Sequence, residues 1–107
     1  MSIFHNVETT PEKEIFPNWF GRMIHGEKMT IAYYRASAGS PFPRHSHPHE
    51  QVSNILEGEL EITIGDETRI CKAGDVAVIP SNTVHYGQAL TDVRVIDVFS
   101  PVREEYR

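Results

Sequence analysis

The chain is short of almost everything that would announce an oxidising compartment, a membrane or a nucleic acid. It has one cysteine in 107 residues, Cys71, so no internal disulfide can form, which points to a reducing cytoplasm. No apolar run approaches the roughly 20 residues of a bilayer span. The stretch from Met1 to His25 carries Glu8, Glu12, Lys13 and Glu14 and no apolar segment of signal-peptide length, which argues against secretion. Basic residues are in the minority, 10 against 15 acidic ones, for a formal charge of −5, and no basic stripe is visible that could track a phosphate backbone. Repeats, low-complexity tracts and linkers are also missing, so residues 1–107 read as one domain. A domain this short buries only about 60–65% of its unfolded surface on its own, and further burial in a homodimer is expected.

What is present is strand after strand. ELEITI, residues 59–64, alternates Leu60, Ile62 and Ile64 on one side with Glu59, Glu61 and Thr63 on the other, the pattern of a half-buried strand. Gly65-Asp66 comes next with glycine first, which suits a type II′ hairpin turn, and ETRICK returns as the partner. Residues 29–36, 75–80, 83–90 and 93–99 read as further strands, each bounded by glycine, proline, asparagine or aspartate. Many short strands at near-regular spacing predict an all-β sandwich or barrel. Residues 1–28, with Pro11 and Pro17, are less regular and read as an N-terminal arm or capping strands. Trp19-Phe20 is expected in the core or a dimer contact, Cys71 as a small, partly buried packing residue, and His5 and His25 in solvent.

The stretch PRHSHPHEQ, residues 43–51, concentrates metal-binding chemistry. Residues two apart on a strand share a face, so His45 and His47 can aim their imidazoles at one point, with Arg44 and Ser46 turned away. Positions 49 and 51 share that phase, but Pro48 has no N–H to donate and marks a bulge or strand edge that re-aims the residues beyond it. His49 therefore reads as a supporting or surface residue. His85, on a later strand, is available as a third imidazole. Three neutral nitrogens and an oxygen donor suit one divalent transition metal, zinc, nickel, iron, manganese or copper, and the residue types do not choose among them. The oxygen comes from Gln51 or, if the bulge shifts the phase, from Glu50.

These residues resemble the cupin family. GSPFPRHSHPHEQVSNILEG, from Gly39 to Gly58, is similar to the first cupin motif, with Gln51 where the family has glutamate. GDVAVIPSNTVH, from Gly74 to His85, is similar to the second, with Asn82 at the usual glycine and Ala89 at the terminal asparagine. The two motifs occupy residues 39–89. The resemblance implies a small antiparallel β-barrel, or jelly roll, with the metal inside, held by His45, His47, Gln51 and His85, and usually a dimer. An amide ligand leaves the metal's double charge uncancelled, so the open positions should favour a small anionic substrate.

In VIDVFSPVREEYR the alternation groups Val93, Val95, Asp97 and Phe99 on one face of a strand and Arg94, Ile96 and Val98 on the other, without saying which looks inward. HSHPHEQ together with DVFSP-x-RE resembles the single-domain cupins of pectin and alginate breakdown that open 4,5-unsaturated monouronate rings to 5-keto-4-deoxyuronates. Carried over, that resemblance implies that Asp97 moves protons, Arg103 engages the substrate carboxylate and Phe99 lines the site. Two other classes stay open at this point. One is a metal-dependent dioxygenase on a small phenol or diketone, which would consume oxygen. The other is a non-catalytic anion- or sugar-binding cupin.

Overall fold

A computed structural model describes residues 3–107. Ten strands run in chain order: β1 (Glu12–Phe16), β2 (Trp19–His25), β3 (Thr30–Ala36), β4 (Pro41–His45), β5 (Glu50–Glu57), β6 (Glu59–Ile64), β7 (Glu67–Lys72), β8 (Val76–Ile79), β9 (His85–Ala89) and β10 (Val93–Ser100). Two single 3₁₀ turns, Val7–Thr9 and Glu104–Tyr106, are the only helical pieces among the described residues, and none is long and apolar enough to cross a membrane. The strands form two antiparallel sheets, in the orders β1-β2-β3-β10-β5-β8 and β4-β9-β6-β7. The architecture is the all-β jelly roll expected.

Alternation fixes what lies between the sheets. Along β10, Val93, Val95, Asp97 and Phe99 are buried, while Arg94 is exposed and Ile96 and Val98 are half-buried. β6 turns Leu60 and Ile62 inward in the same way. Trp19, Ile55, Leu60, Ile62, Ile79 and Val95 form the main core, and Met23, Ala32 and Phe99 a smaller cluster at the other end. Cys71 belongs fully to the core at 7% exposed rather than partly buried, because its partner across the hairpin is Leu60. Trp19 is buried as expected. Phe20 points outward, with the Arg35 guanidinium 4.4 Å over its ring.

The N-terminal third departs from the sequence expectation. Residues 12–16 and 19–25 form a hairpin that extends the larger sheet, with Trp19–His25 paired to β3 along its full length. Pro17-Asn18 is the turn, and Asn18 takes a φ of 67°, a left-handed conformation that asparagine tolerates better than most residues. His25 is not in solvent either: it is half-buried, with both ring nitrogens hydrogen-bonded. The expected type II′ turn is consistent with the φ of +62° at Gly65. The glycine at position 58 is required twice over, by a φ of +84° and because a Cβ there would lie 2.1 Å from the Asp92 carbonyl oxygen.

Candidate metal centre and acid site

The histidine-rich segment does not form one continuous strand. β4 ends at His45, residues 46–49 form a loop, and β5 starts at Glu50, so His45 and His47 reach the interior by different routes. His45 stands directly opposite His85 in the β4–β9 ladder, after a register shift that absorbs Pro43 and Arg44. His47 hangs from the loop, which residues of the β8–β9 connection hold: Asn82 N–H donates to the His47 carbonyl at 2.8 Å, and the Ser81 hydroxyl to the Pro48 carbonyl at 2.5 Å. Asn82 has a φ of 61°, which accounts for asparagine where a glycine would otherwise stand.

Each of the three rings is oriented by a backbone carbonyl. Nδ1 of His45 lies 2.6 Å from Pro43 O, Nδ1 of His47 lies 3.0 Å from His49 O, and Nδ1 of His85 lies 2.9 Å from Thr83 O. A carbonyl only accepts, so each Nδ1 carries the proton and each neutral ring keeps its lone pair on Nε2. The three rings place a ligand nitrogen apiece within 4.8 Å of one another. His85 Nε2 is buried without any hydrogen-bond partner. Burial holds the His85 imidazole down at about pKa 4 and lowers that of His47 as well, so both stay neutral near pH 7.

Gln51 completes the set. Its amide nitrogen donates to Asp97 Oδ2 at 2.6 Å, which turns Oε1 toward His47 Nε2, 3.0 Å away. Two lone pairs then face each other, an arrangement that a cation between them resolves, and the donor set fits a divalent transition metal. His45, His47, His85 and Gln51 would hold it. Glu50 is exposed, on the outward face of β5, and does not reach the site. His49 is buried, but its Nε2 hydrogen-bonds the Val102 carbonyl at 3.2 Å, so it supports the C-terminal segment.

The six-stranded sheet supplies the acid side of the same cavity. Asp97 is 5% exposed and sits opposite Ser53 in the β10–β5 ladder, whose hydroxyl donates to Oδ1 at 2.7 Å. Burial pushes the Asp97 carboxyl up to about 6, against the opposing pull of the Ser53 and Gln51 hydrogen bonds and the Arg103 charge. Phe99 and Arg103 line the cavity too, with the Arg103 guanidinium 4.8 Å over the Phe99 ring. All seven residues singled out in the sequence are thus brought together. Ser53, Tyr34 and Tyr106, which share the cavity, are additions that the sequence reading does not contain. A signal exists for Ser53 alone, a polar residue in the inward phase between Gln51 and Ile55.

The profile of the cupin domain matches residues 33–99. The pectin degradation protein KdgF of Dickeya dadantii is 32% identical over 78 residues, covering 71% of this chain and 68% of that protein. Among solved structures, KdgF from a Halomonas species superposes with a TM-score of 0.91 at 25% identity over the full length of both chains. An RmlC-like cupin from Shewanella frigidimarina does so with a TM-score of 0.93 at 26% identity, covering all of this chain and 97% of its own.

Two outcomes test the site. Elemental analysis should find the metal lost from His45→Ala and His85→Ala, weakened in Gln51→Ala and unchanged in Glu50→Ala; full occupancy in a variant lacking both His45 and His47 would reject the assignment. The second is a pH response of the metal-stripped protein. His85, at about 4, declines a proton that the unfolded chain takes up near 6.5, so it costs stability as pH falls between those values. Asp97, at about 6, keeps a proton that the unfolded chain releases near 3.8, so it costs stability as pH rises across the same window. Asp97→Asn removes only the second slope, and its thermal midpoint should fall more steeply than the wild type's on going from pH 6.5 to 4. Parallel curves would show that Asp97 titrates at its ordinary value.

Proposed function

Because the chain belongs to the cupin family, we propose that it is a metal-dependent enzyme that opens 4,5-unsaturated monouronates to 5-keto-4-deoxyuronates in pectin or alginate breakdown, in the cytoplasm. The observation that carries this reading is the position of Asp97: a buried carboxylate hydrogen-bonded to the metal-side amide of Gln51, in one cavity with three convergent imidazoles and a guanidinium. The likeness to pectin degradation proteins over most of the chain supports the substrate class.

The chemistry asks for few parts. When the hemiacetal of a free unsaturated uronate opens to an aldehyde, an enol remains at C5 in conjugation with the acid group, and ketonisation needs a proton at C4. No oxidant or reductant takes part. A bound divalent ion would supply Lewis-acid charge beside the anionic oxygens. Arg103 holds the carboxylate through its Nη groups. Asp97 carries the proton, and a carboxyl held near 6 exists in both protonation states around neutral pH. Ser53 and Gln51 fix both of its oxygens, so the group keeps its aim as it gains or loses charge. Phe99 and the apolar wall of Ile79 and Val95 limit water beside the reacting carbon.

The same reading includes a homodimer. On the outer face of the larger sheet, Ile24, Ile31, Val98, Val52 and Val78 stand in register across five strands, a width of about 19 Å at about 4.8 Å per strand. Val76 and Val78 are each 56% exposed. An apolar row of this kind is self-complementary about a two-fold axis, so a second copy of the chain is the partner that fits it.

Purified protein incubated without oxygen with unsaturated galacturonate should consume the conjugated chromophore, which also separates this activity from an oxygenase. Asp97→Asn should keep fold and metal and lose on the order of 10²–10⁴ in turnover, and Arg103→Lys should raise KM because it keeps charge but not the planar fork. Near-normal turnover by Asp97→Asn with its metal in place would reject the proton-carrying role. For the assembly, light scattering should give twice the chain mass for the wild type and a monomer for Val52→Lys/Val78→Lys; a monomeric wild type rejects the dimer.

A further inference from the structure

The segment after β10 lies outside the strand alternation that positions the metal-binding side chains, yet it closes the same cavity. Val102 and Arg103 are buried, and Tyr106 lines the cavity beside Asp97 and Gln51. Three contacts fasten it. His49 Nε2 donates to the Val102 carbonyl at 3.2 Å, Arg103 N–H donates to the Thr30 hydroxyl at 3.0 Å, and His25 Nε2 donates to the Tyr106 carbonyl at 3.1 Å. Thr30 is fully buried and its hydroxyl also meets His25 Nδ1 at 2.9 Å, so the oxygen accepts from Arg103 N–H while its own O–H donates to His25 Nδ1. The turn is therefore held at both ends by one threonine–histidine pair.

Within that turn the Arg103 guanidinium packs on two rings, 4.2 Å from the centre of Tyr106 and 4.8 Å from that of Phe99. The two rings meet edge to face, with centroids 6.2 Å apart and planes at 82°, so the guanidinium sits in the corner between them. One edge is committed, because Nε donates to Glu105 at 2.5 Å. The two Nη groups have no hydrogen-bond partner among the described residues and are not sealed from solvent.

We propose that Tyr106 is a positioning residue that clamps Arg103 in the corner it forms with Phe99, so that the Nη edge stands as a preformed fork for a planar, two-oxygen anion, the carboxylate of a sugar acid. This rests on the reading of the cavity as an anion site given above. Without the ring the guanidinium regains its rotamers and can turn its second edge onto Glu105, so an incoming carboxylate meets a mobile and partly neutralised partner. The clamp also makes the site discriminate by shape: a hydroxyl offers one oxygen, whereas a carboxylate matches both N–H groups at once.

Isothermal titration of the metal-loaded, full-length protein with galacturonate, and with galactose as the neutral control, tests the proposal. The wild type should prefer galacturonate. Tyr106→Phe, which keeps the ring, should bind it within about twofold of the wild type, and Tyr106→Leu should bind it at least about tenfold more weakly with unchanged metal content. In the background of Arg103→Ala, the Tyr106→Leu change should have no further effect, because the ring acts through that guanidinium. A loss that persists there, or wild-type affinity in Tyr106→Leu, overturns the positioning role. No preference for galacturonate by the wild type, or full affinity in Arg103→Ala, overturns the anion-site reading and this proposal with it. If Tyr106→Leu does not fold, Tyr106→Met enters the same cycle.

Discussion

The hydrogen bond from Gln51 to Asp97, 2.6 Å long, decides what both halves of the cavity can do. By donating one amide N–H to the carboxylate, Gln51 commits its oxygen to the side where His45, His47 and His85 converge. A glutamate at this position would set two carboxylates against each other in a buried site, and one of them would have to stay protonated. The amide removes that conflict: Asp97 keeps a donor, and the imidazole side keeps an oxygen. The glutamine that departs from the cupin motif is thus explained by a partner 46 residues further along the chain.

Much of this is readable in the sequence because β-strands have a strict period of two. The alternation of Val93, Val95, Asp97 and Phe99 can be written down from the residues alone, and the covered faces only have to choose between it and its complement. The hairpin at Gly65 is legible for a similar reason, since turn chemistry and alternation agree there. His45 and His47 are picked out by a rule that does not apply to them, as they do not share a strand. They converge because the loop after His45 is pulled in by Ser81 and Asn82, contacts between segments more than thirty residues apart that no local pattern records.

The N-terminal hairpin escapes a sequence reading for the opposite reason. β1 is an edge strand whose residues 12–14 are exposed Glu-Lys-Glu, so it presents no apolar alternation, and β2 mixes Arg22 into its outward face, where the side chain donates to the Val7, Glu8 and Thr10 carbonyls. Its strand character comes from pairing with β3. His25 and His49 read from the sequence as solvated or supporting side chains, and the structure shows both bonded to the chain's last residues. A histidine that fastens backbone leaves no spacing motif, only a contact.

The cavity is assembled from parts of different kinds. The three convergent imidazoles and Asp97 belong to the barrel and its loop, whereas Arg103 and Tyr106 arrive on a short segment attached at three points. On the proposed reading, substitutions in that segment would change what the cavity recognises while the barrel, its core and the three imidazoles remain as they are. In evolutionary terms a recognition element placed there would be modular, open to change without the compensating changes that altering a residue between two packed sheets would demand.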